Sequence, residues 1–344
     1  MSSSILISDK KGFRSIVFRP IGMISMLIIL MVLCFLSIAI GTRDVSWTEI
    51  LGALQGKIET MGEVTIVMRI PRTALAIMAG SALGLSGAIM QSVSRNPLAD
   101  PGILGVNAGA SFFVVIGLAW FEMNQLQDYV WMAVFGAGTT AAFVYIISSL
   151  GRGGSTPLKF ALSGAATTAA LSCFTIAVIL PRNDIAGSAR SWQIGGVGGA
   201  SFDSIHLVMP FIATGFIISV FVARKLNSLA LGDDLAAGLG DNVLSTKITA
   251  WLAAVLLCGA TTAICGPIGF VGLVIPHVCR LLIGVDNRWL LPFSAVGGAS
   301  LLLAADIVGR IITRPSELSV GIVTAFIGAP FFIWIIRRQR VKEL

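Results

Sequence analysis

Few residues of this 344-residue chain have the types and spacing that catalysis or metal binding would need. The two histidines, His206 and His277, are too far apart in sequence to pair at a metal or haem. The five cysteines (Cys34, Cys173, Cys258, Cys265 and Cys279) lie in apolar runs without a C-x-x-C pair, the pattern of buried inert thiols. A phosphate-cradling loop reads G-x-x-x-x-G-K-[ST]. The nearest approach, GALQGKI (Gly52–Ile58), has the wrong spacing and puts Ile58 where the hydroxyl belongs. With no His/Asp/Glu or Cys cluster, the chain reads as a non-enzyme that binds no metal or cofactor of its own and hydrolyses no ATP.

The polar residues that remain are concentrated in four places. RNPLADPGILG holds Arg95, Asn96, Pro97, Asp100, Pro101 and Gly105. Each proline bars helix for the residue before it, so this stretch is expected to be a rigid, partly re-entrant connection enclosed in protein. LGDDLAAGLG holds Leu231, Gly232, Asp233, Asp234, Leu235, Leu239 and Gly240. Asp233 and Asp234 suit the first turn of a short helix, Leu235 and Leu239 share one face, and Gly238 and Gly240 end or bend it. Arg69, Arg72 and Arg310 lie near helix ends, where guanidiniums serve as interfacial anchors or as partners for carboxylates. Asp306, four residues before Arg310, can pair with it on one helix face. The fourth place is the loop GRGGSTP, with Ser155 and Thr156.

The elements that must position these residues are apolar. The chain is 56% hydrophobic and 12% charged, against about 25% charged in soluble domains. Ten runs qualify as membrane helices: 21–40, 70–90, 103–121, 129–149, 159–180, 204–223, 245–264, 267–284, 289–310 and 317–336. The division at Gly266-Pro267 is the weakest, resting on the proline. The reading is an all-α integral membrane protein with one transmembrane domain over 1–344. It includes a basic leader at 1–20 and a polar segment at 226–243 on the same side as the termini. The first run is too long for a cleaved signal and reads as a retained helix.

An even number of crossings puts both termini on one side. Placing them in the cytoplasm gives sixteen basic residues inside and eight outside, the expected bias. The net charge of +7 is dispersed over short loops and does not suggest nucleic acid. Small-residue stretches at 80–90, 163–172 and 297–306 would let helix backbones approach closely.

RNPLADPGILGVNAGASF closely resembles the hallmark of the FecCD family of ABC importer permeases, which handle ferric siderophores and cobalamin. Four further regions agree in order: Arg69–Gln91, Leu226–Val243, Gly266–Gly284, and the pair Ala305–Arg310 and Gly321–Trp334. The resemblance covers about residues 20–336. It implies a type II importer permease fold in the inner membrane, moving an iron–siderophore chelate, with the likeness leaning toward catecholate siderophores. It also implies two ATP-binding cassette ATPase subunits carrying the ATP and magnesium. A second permease, a sister chain in preference to a copy, and an external or periplasmic substrate-binding protein complete the expected assembly. Leu231 to Gly240 then correspond to the ATPase coupling helix, Arg69, Arg72 and Arg310 to a socket for acids on the binding protein, and Ser155 and Thr156 to a cytoplasmic gate.

Alternatives are a cobalamin, haem or hydroxamate importer of the same family, or an ion-coupled secondary transporter. The last would need intramembrane acids, and Asp306 is the only clear acid in a core span.

Overall fold

The computed structural model describes residues 3–338, except 44, 57–58, 122, 124–125 and 151–156. The described residues form thirteen α-helices: α1 (Ser3–Ala39), α2 (Trp47–Leu54), α3 (Met61–Ser94), α4 (Val106–Trp120), α5 (Leu126–Ser149), α6 (Pro157–Ile179), α7 (Asn183–Ile194), α8 (Phe202–Leu229), α9 (Asp233–Gly238), α10 (Val243–Cys265), α11 (Val271–Ile283), α12 (Asn287–Ile312) and α13 (Val320–Arg338). A 3-10 turn at Pro101–Leu104 precedes α4.

All ten expected runs are helical. Seven helices are long and apolar enough to cross a membrane, and three shorter ones (Val106–Trp120, Val271–Ile283 and Val320–Trp334) are also apolar. The break at Gly266-Pro267 is real but wider than expected. α10 stops at Cys265, Gly266 takes φ 68° and Phe270 φ 69°, and α11 begins only at Val271. At 1.5 Å per residue α11 spans about 20 Å, well short of a bilayer core of about 30 Å.

Side-chain caps set the starts of α2, α3, α8, α10 and α12. Ser46 with Glu49 and Thr60 with Glu63 form capping boxes at α2 and α3, each satisfying orphan amides reciprocally. Asn242 caps α10 and Asp286 caps α12.

α3 is the axis of the bundle, packed on α12, α10, α11 and α8. Glycine permits the closest contacts. A methyl added at Gly84 would overlap the Ser294 carbonyl, one at Gly80 the Gly298 carbonyl, and one at Gly87 the Gly272 backbone. Thus the small-residue stretches 80–90 and 297–306 meet each other. The stretch 163–172 behaves differently. Much of α6 is exposed, and where it packs it lies on α4 and the 3-10 turn, with Thr167 and Thr168 beside Gly105. The thiol expectation also needs correcting: Cys258, Cys265 and Cys279 are buried, but Cys34 is half-buried and Cys173, on α6, is exposed.

Candidate functional site

The two ends of the bundle carry different chemistry. At one end, α3 closes on Arg95, which adopts a left-handed conformation (φ 51°) as the C-cap. The stretch then turns on its own side chains. Asn96 Oδ1 accepts from the Leu98 amide at 3.0 Å, and Asp100 Oδ1 accepts from the Gly102 amide at 2.7 Å. These side-chain turns occur because a residue before proline is pushed out of helix, where Asn and Asp bond the chain two residues on. Gly105 (φ 74°) completes the reversal into α4.

α9 lies beside this turn. Its C-terminus is a Schellman motif: the Asp241 amide donates to Ala236 O at 3.1 Å and the Gly240 amide to Ala237 O at 3.0 Å. Gly232 (φ 117°) and Gly240 (φ 88°) take the conformations this entry and exit require. Ala236 is buried, whereas Leu231, Leu235 and Leu239 are 59%, 62% and 66% exposed, so the predicted apolar face exists and is unpartnered in this chain. Asp233 and Asp234 are both exposed, but only Asp233 is tied to the bundle, pairing with Arg95 and with Lys247 Nζ at 2.6 Å. The hydrogen bond from Lys247 holds the Asp233 carboxyl below the usual range; desolvation opposes this and Arg95 adds to it.

At the opposite end, Asp306 accepts from Arg72 Nη2 and pairs with Arg310 Nη2, both at 2.8 Å. The expected i,i+4 pair is therefore present, and Arg72 joins it. Arg72 also reaches Glu317 at 2.7 Å. Arg69 and Arg310 are not surface groups: they are 5% and 2% exposed. Arg69 donates to the carbonyls of Ile38 (2.9 Å), Ala39 (3.2 Å) and Arg43 (2.7 Å). Arg310 donates to the carbonyls of Ser37 (3.0 Å) and Ile40 (3.2 Å) and to the Ser37 hydroxyl (2.8 Å). The last carbonyls of a helix have no partner within it. Here two arginines from other helices, Arg69 of α3 and Arg310 of α12, supply one. Of the three arginines expected as a docking socket, Arg69 and Arg310 are buried, and Arg72 keeps 13% of its side chain exposed, paired with Asp306 and with Glu317 at the rim.

Three features escaped sequence reasoning. Gln91 donates to the carbonyls of Gly272 and Leu273 and accepts from Arg280 at 3.0 Å, tying α3 to α11. Asn227 bridges the Asp286 carboxylate and the Asn287 amide, joining α8 to α12. Along α6, Asn107, Ser111, Thr168, Ser172, Thr175 and Gln193 line a cavity of about 250 Å³ with neutral polar groups. Local spacing carries no signal for the first two. The third could have been read from the Ser/Thr content of 163–175. Ser155 and Thr156 lie outside the described residues.

Among the described residues no group of three or more His, Cys, Asp or Glu side chains could hold a metal ion.

The sequence pattern of the FecCD transport family matches residues 29–338. The chain is 41% identical over 323 residues to the ferric enterobactin transport system permease of Escherichia coli, covering 93% of this chain and 96% of that one. It is 41% identical over 308 residues to an iron(3+)-hydroxamate import system permease of Bacillus subtilis, covering 89% and 80%. It is 35% identical over 331 residues to the hemin transport system permease of Yersinia pestis, covering 94% and 98%. Among solved structures, a metal-chelate type ABC transporter in an inward-facing conformation superposes with TM-score 0.79 at 25% identity, over 93% of this chain and 99% of the other. The chain therefore belongs to the FecCD transport family and is a multi-pass membrane permease of the iron-chelate ABC importer kind, a transport component and not an enzyme.

Proposed function

We propose that this chain is the membrane subunit of a binding-protein-dependent importer that carries an iron–siderophore chelate into the cytoplasm, with a catecholate siderophore as the favoured substrate. The observation that carries this reading is α9: a short helix presenting Leu231, Asp234, Leu235 and Leu239 outward while Asp233 and Ala236 attach it to the bundle. An unpartnered apolar face rimmed by acid suits a protein groove better than an anionic membrane surface. Two ATPase subunits would dock there and supply the ATP and magnesium, leaving this chain without a cofactor. The bias of basic residues supports an inner-membrane orientation with both termini and α9 in the cytoplasm.

The opposite end would then meet the substrate-binding protein. Arg72 is the group suited to receive a carboxylate from it. Arg69 and Arg310 act beneath, holding the end of α1. The exposed face of α6 and its polar cavity would form half of the translocation path, completed by a second permease, a sister chain in preference to a copy. Hydroxamate siderophore is the second reading for the substrate, because the hydroxamate permease is as similar as the enterobactin one.

Two experiments test this. Vesicles holding the permeases and ATPase should take up ferric chelate with ATP and binding protein in the absence of any ion gradient. Uptake that needs a gradient would turn the assignment to a secondary transporter. Titrating the cognate binding protein with ferric catecholate, ferric hydroxamate, haem and cobalamin should show tightest binding of the catecholate.

A further inference from the structure

α9 is held to the bundle by few groups. Ala236 is its one buried residue, and positive-φ glycines bracket it at 232 and 240. Besides packing on α8 and α10, its ion pairs with the bundle among the described residues run through one carboxylate. Asp233 Oδ1 accepts from Arg95, and Asp233 Oδ2 from Lys247 at 2.6 Å. Those two cations belong to different elements. Arg95 is the C-cap of α3 and opens the RNPLADPG turn; its Nε also donates to Leu229 O, the last residue of α8, at 2.8 Å. Lys247 lies in the second turn of α10. One side chain thus connects α9 to α3, to α10 and, through Arg95, to α8.

The link faces a cavity. A space of about 260 Å³ lies behind it, bounded by Arg95, Asp233 and Lys247 and by Tyr145, Phe160 and Trp251. The Phe160 and Trp251 rings are 4.6 Å apart and the Tyr145 and Trp251 rings 5.2 Å, so the far wall is a packed aromatic cluster. A close-packed interior resists displacement. Here the end of α3 borders a void and has room to shift when Arg95 is pulled.

We propose that Asp233 is a positioning residue that transmits movement of α9 to α3 and α10, and is not itself part of the ATPase contact. This rests on reading α9 as the ATPase coupling helix. Asp234, adjacent and outward, belongs to the contact face; Asp233 belongs to the transmission. Half-exposed ion pairs often contribute little to stability. The expected signature is therefore on coupling and not on assembly.

The test uses the complete transporter, with ATPase and binding protein, in vesicles. Asp233→Asn and Arg95→Gln should co-purify the ATPase as the wild type does. Ferric chelate taken up per ATP hydrolysed should fall by about fivefold or more, the range of an ordinary coupling between sites. The charge-preserving Asp233→Glu and Arg95→Lys should recover it to within about twofold. The double variant Asp233→Asn/Arg95→Gln should be no worse than the worse single, because residues acting through one contact are not additive. Wild-type uptake per ATP in Asp233→Asn would overturn the proposal, as would loss of ATPase co-purification or a multiplied defect in the double variant. Leu235→Arg distinguishes the underlying reading: a variant that still recruits the ATPase and transports normally means α9 is not the coupling helix.

Discussion

Arg310 of α12 donates at 3.0 Å to the carbonyl of Ser37, 273 residues earlier in the chain, and at 2.8 Å to its hydroxyl. Ser37 in turn shares a hydrogen bond with Thr73 of α3 at 2.8 Å. The end of α1 is fastened to the axis of the bundle by this contact and by Arg69. Replacing Arg310 with Met removes this fastening together with one partner of the buried Asp306, so it should loosen α1 and lower stability at once. In a Cys173→Ser background, a small maleimide should label the half-buried Cys34 of α1 faster than in the Arg310-containing parent. Equal labelling rates would remove α1 fastening from the role of Arg310.

Asp306 lies between Arg72 and Arg310 with its side chain fully buried. Asp306→Asn leaves two guanidiniums facing each other with the charge removed, and breaking such a buried pair costs about 3–5 kcal/mol. The expected result is loss of monodisperse protein, or a large fall in its melting temperature in detergent. Glu317→Gln, at the exposed rim, should change stability by about 0–1 kcal/mol.

Under the proposed docking of a binding protein, Arg72, the least buried of the three arginines, is the one to test. Arg72→Gln should weaken binding-protein docking by about 0.2–1 kcal/mol and flatten its salt dependence. Affinity measured in nanodiscs at two salt concentrations checks this, and an unchanged salt slope would remove Arg72 from the interface. Charge reversal at Arg69 or Arg310 should instead abolish folding, because either change leaves a buried carboxylate against backbone carbonyls.

The helix seams give a paired prediction. Gly84→Ala drives a methyl into the Ser294 carbonyl and should destabilise by about 1–3 kcal/mol, as overpacking does. Gly138, also mid-helix, has nothing within 4 Å of an added methyl. Gly138→Ala should be neutral or should stabilise by up to about 1 kcal/mol through helix propensity. Thermal unfolding of both variants in one detergent decides it.

The Asp233 link also has a pH signature. Hydrogen bonding from Lys247 depresses this carboxyl below its ordinary value of 3.8. A depressed carboxyl contributes fully above its unfolded value and loses that contribution as pH falls through its own lower one. Uptake per ATP should therefore show no titration attributable to Asp233 between about pH 5 and 8. A midpoint in that window that disappears in Asp233→Asn would contradict the geometry.

The legible features are those written locally in the chain. Ten apolar runs became ten helices, and Gly266-Pro267 marked a true break. Asp306 and Arg310, four apart on one helix, paired as spacing requires. The short helices α2 and α7 were not anticipated, since twelve or fewer residues of mixed polarity give no membrane-length signal. Arg69 near a helix end reads as an anchor because its acceptors belong to another helix, about thirty residues back. The Arg95–Asp233 pair, 138 residues apart, depends on how α3 and α8 end side by side, and no local pattern encodes that.

Backbone-to-backbone seams at Gly80, Gly84 and Gly87 leave no side-chain cushion between α3 and its neighbours α12 and α11. A cushion of flexible side chains can shear; bare main chain against main chain can only separate or stay. We expect these three helices to move together through any cycle of opening and closing. The compliance of the molecule then resides at its margins, in α6, in the chain breaks around α11 and in the six-residue α9. Movement passed to the end of α3 through Arg95 would then be shared with α11 and α12 and would not be lost within α3.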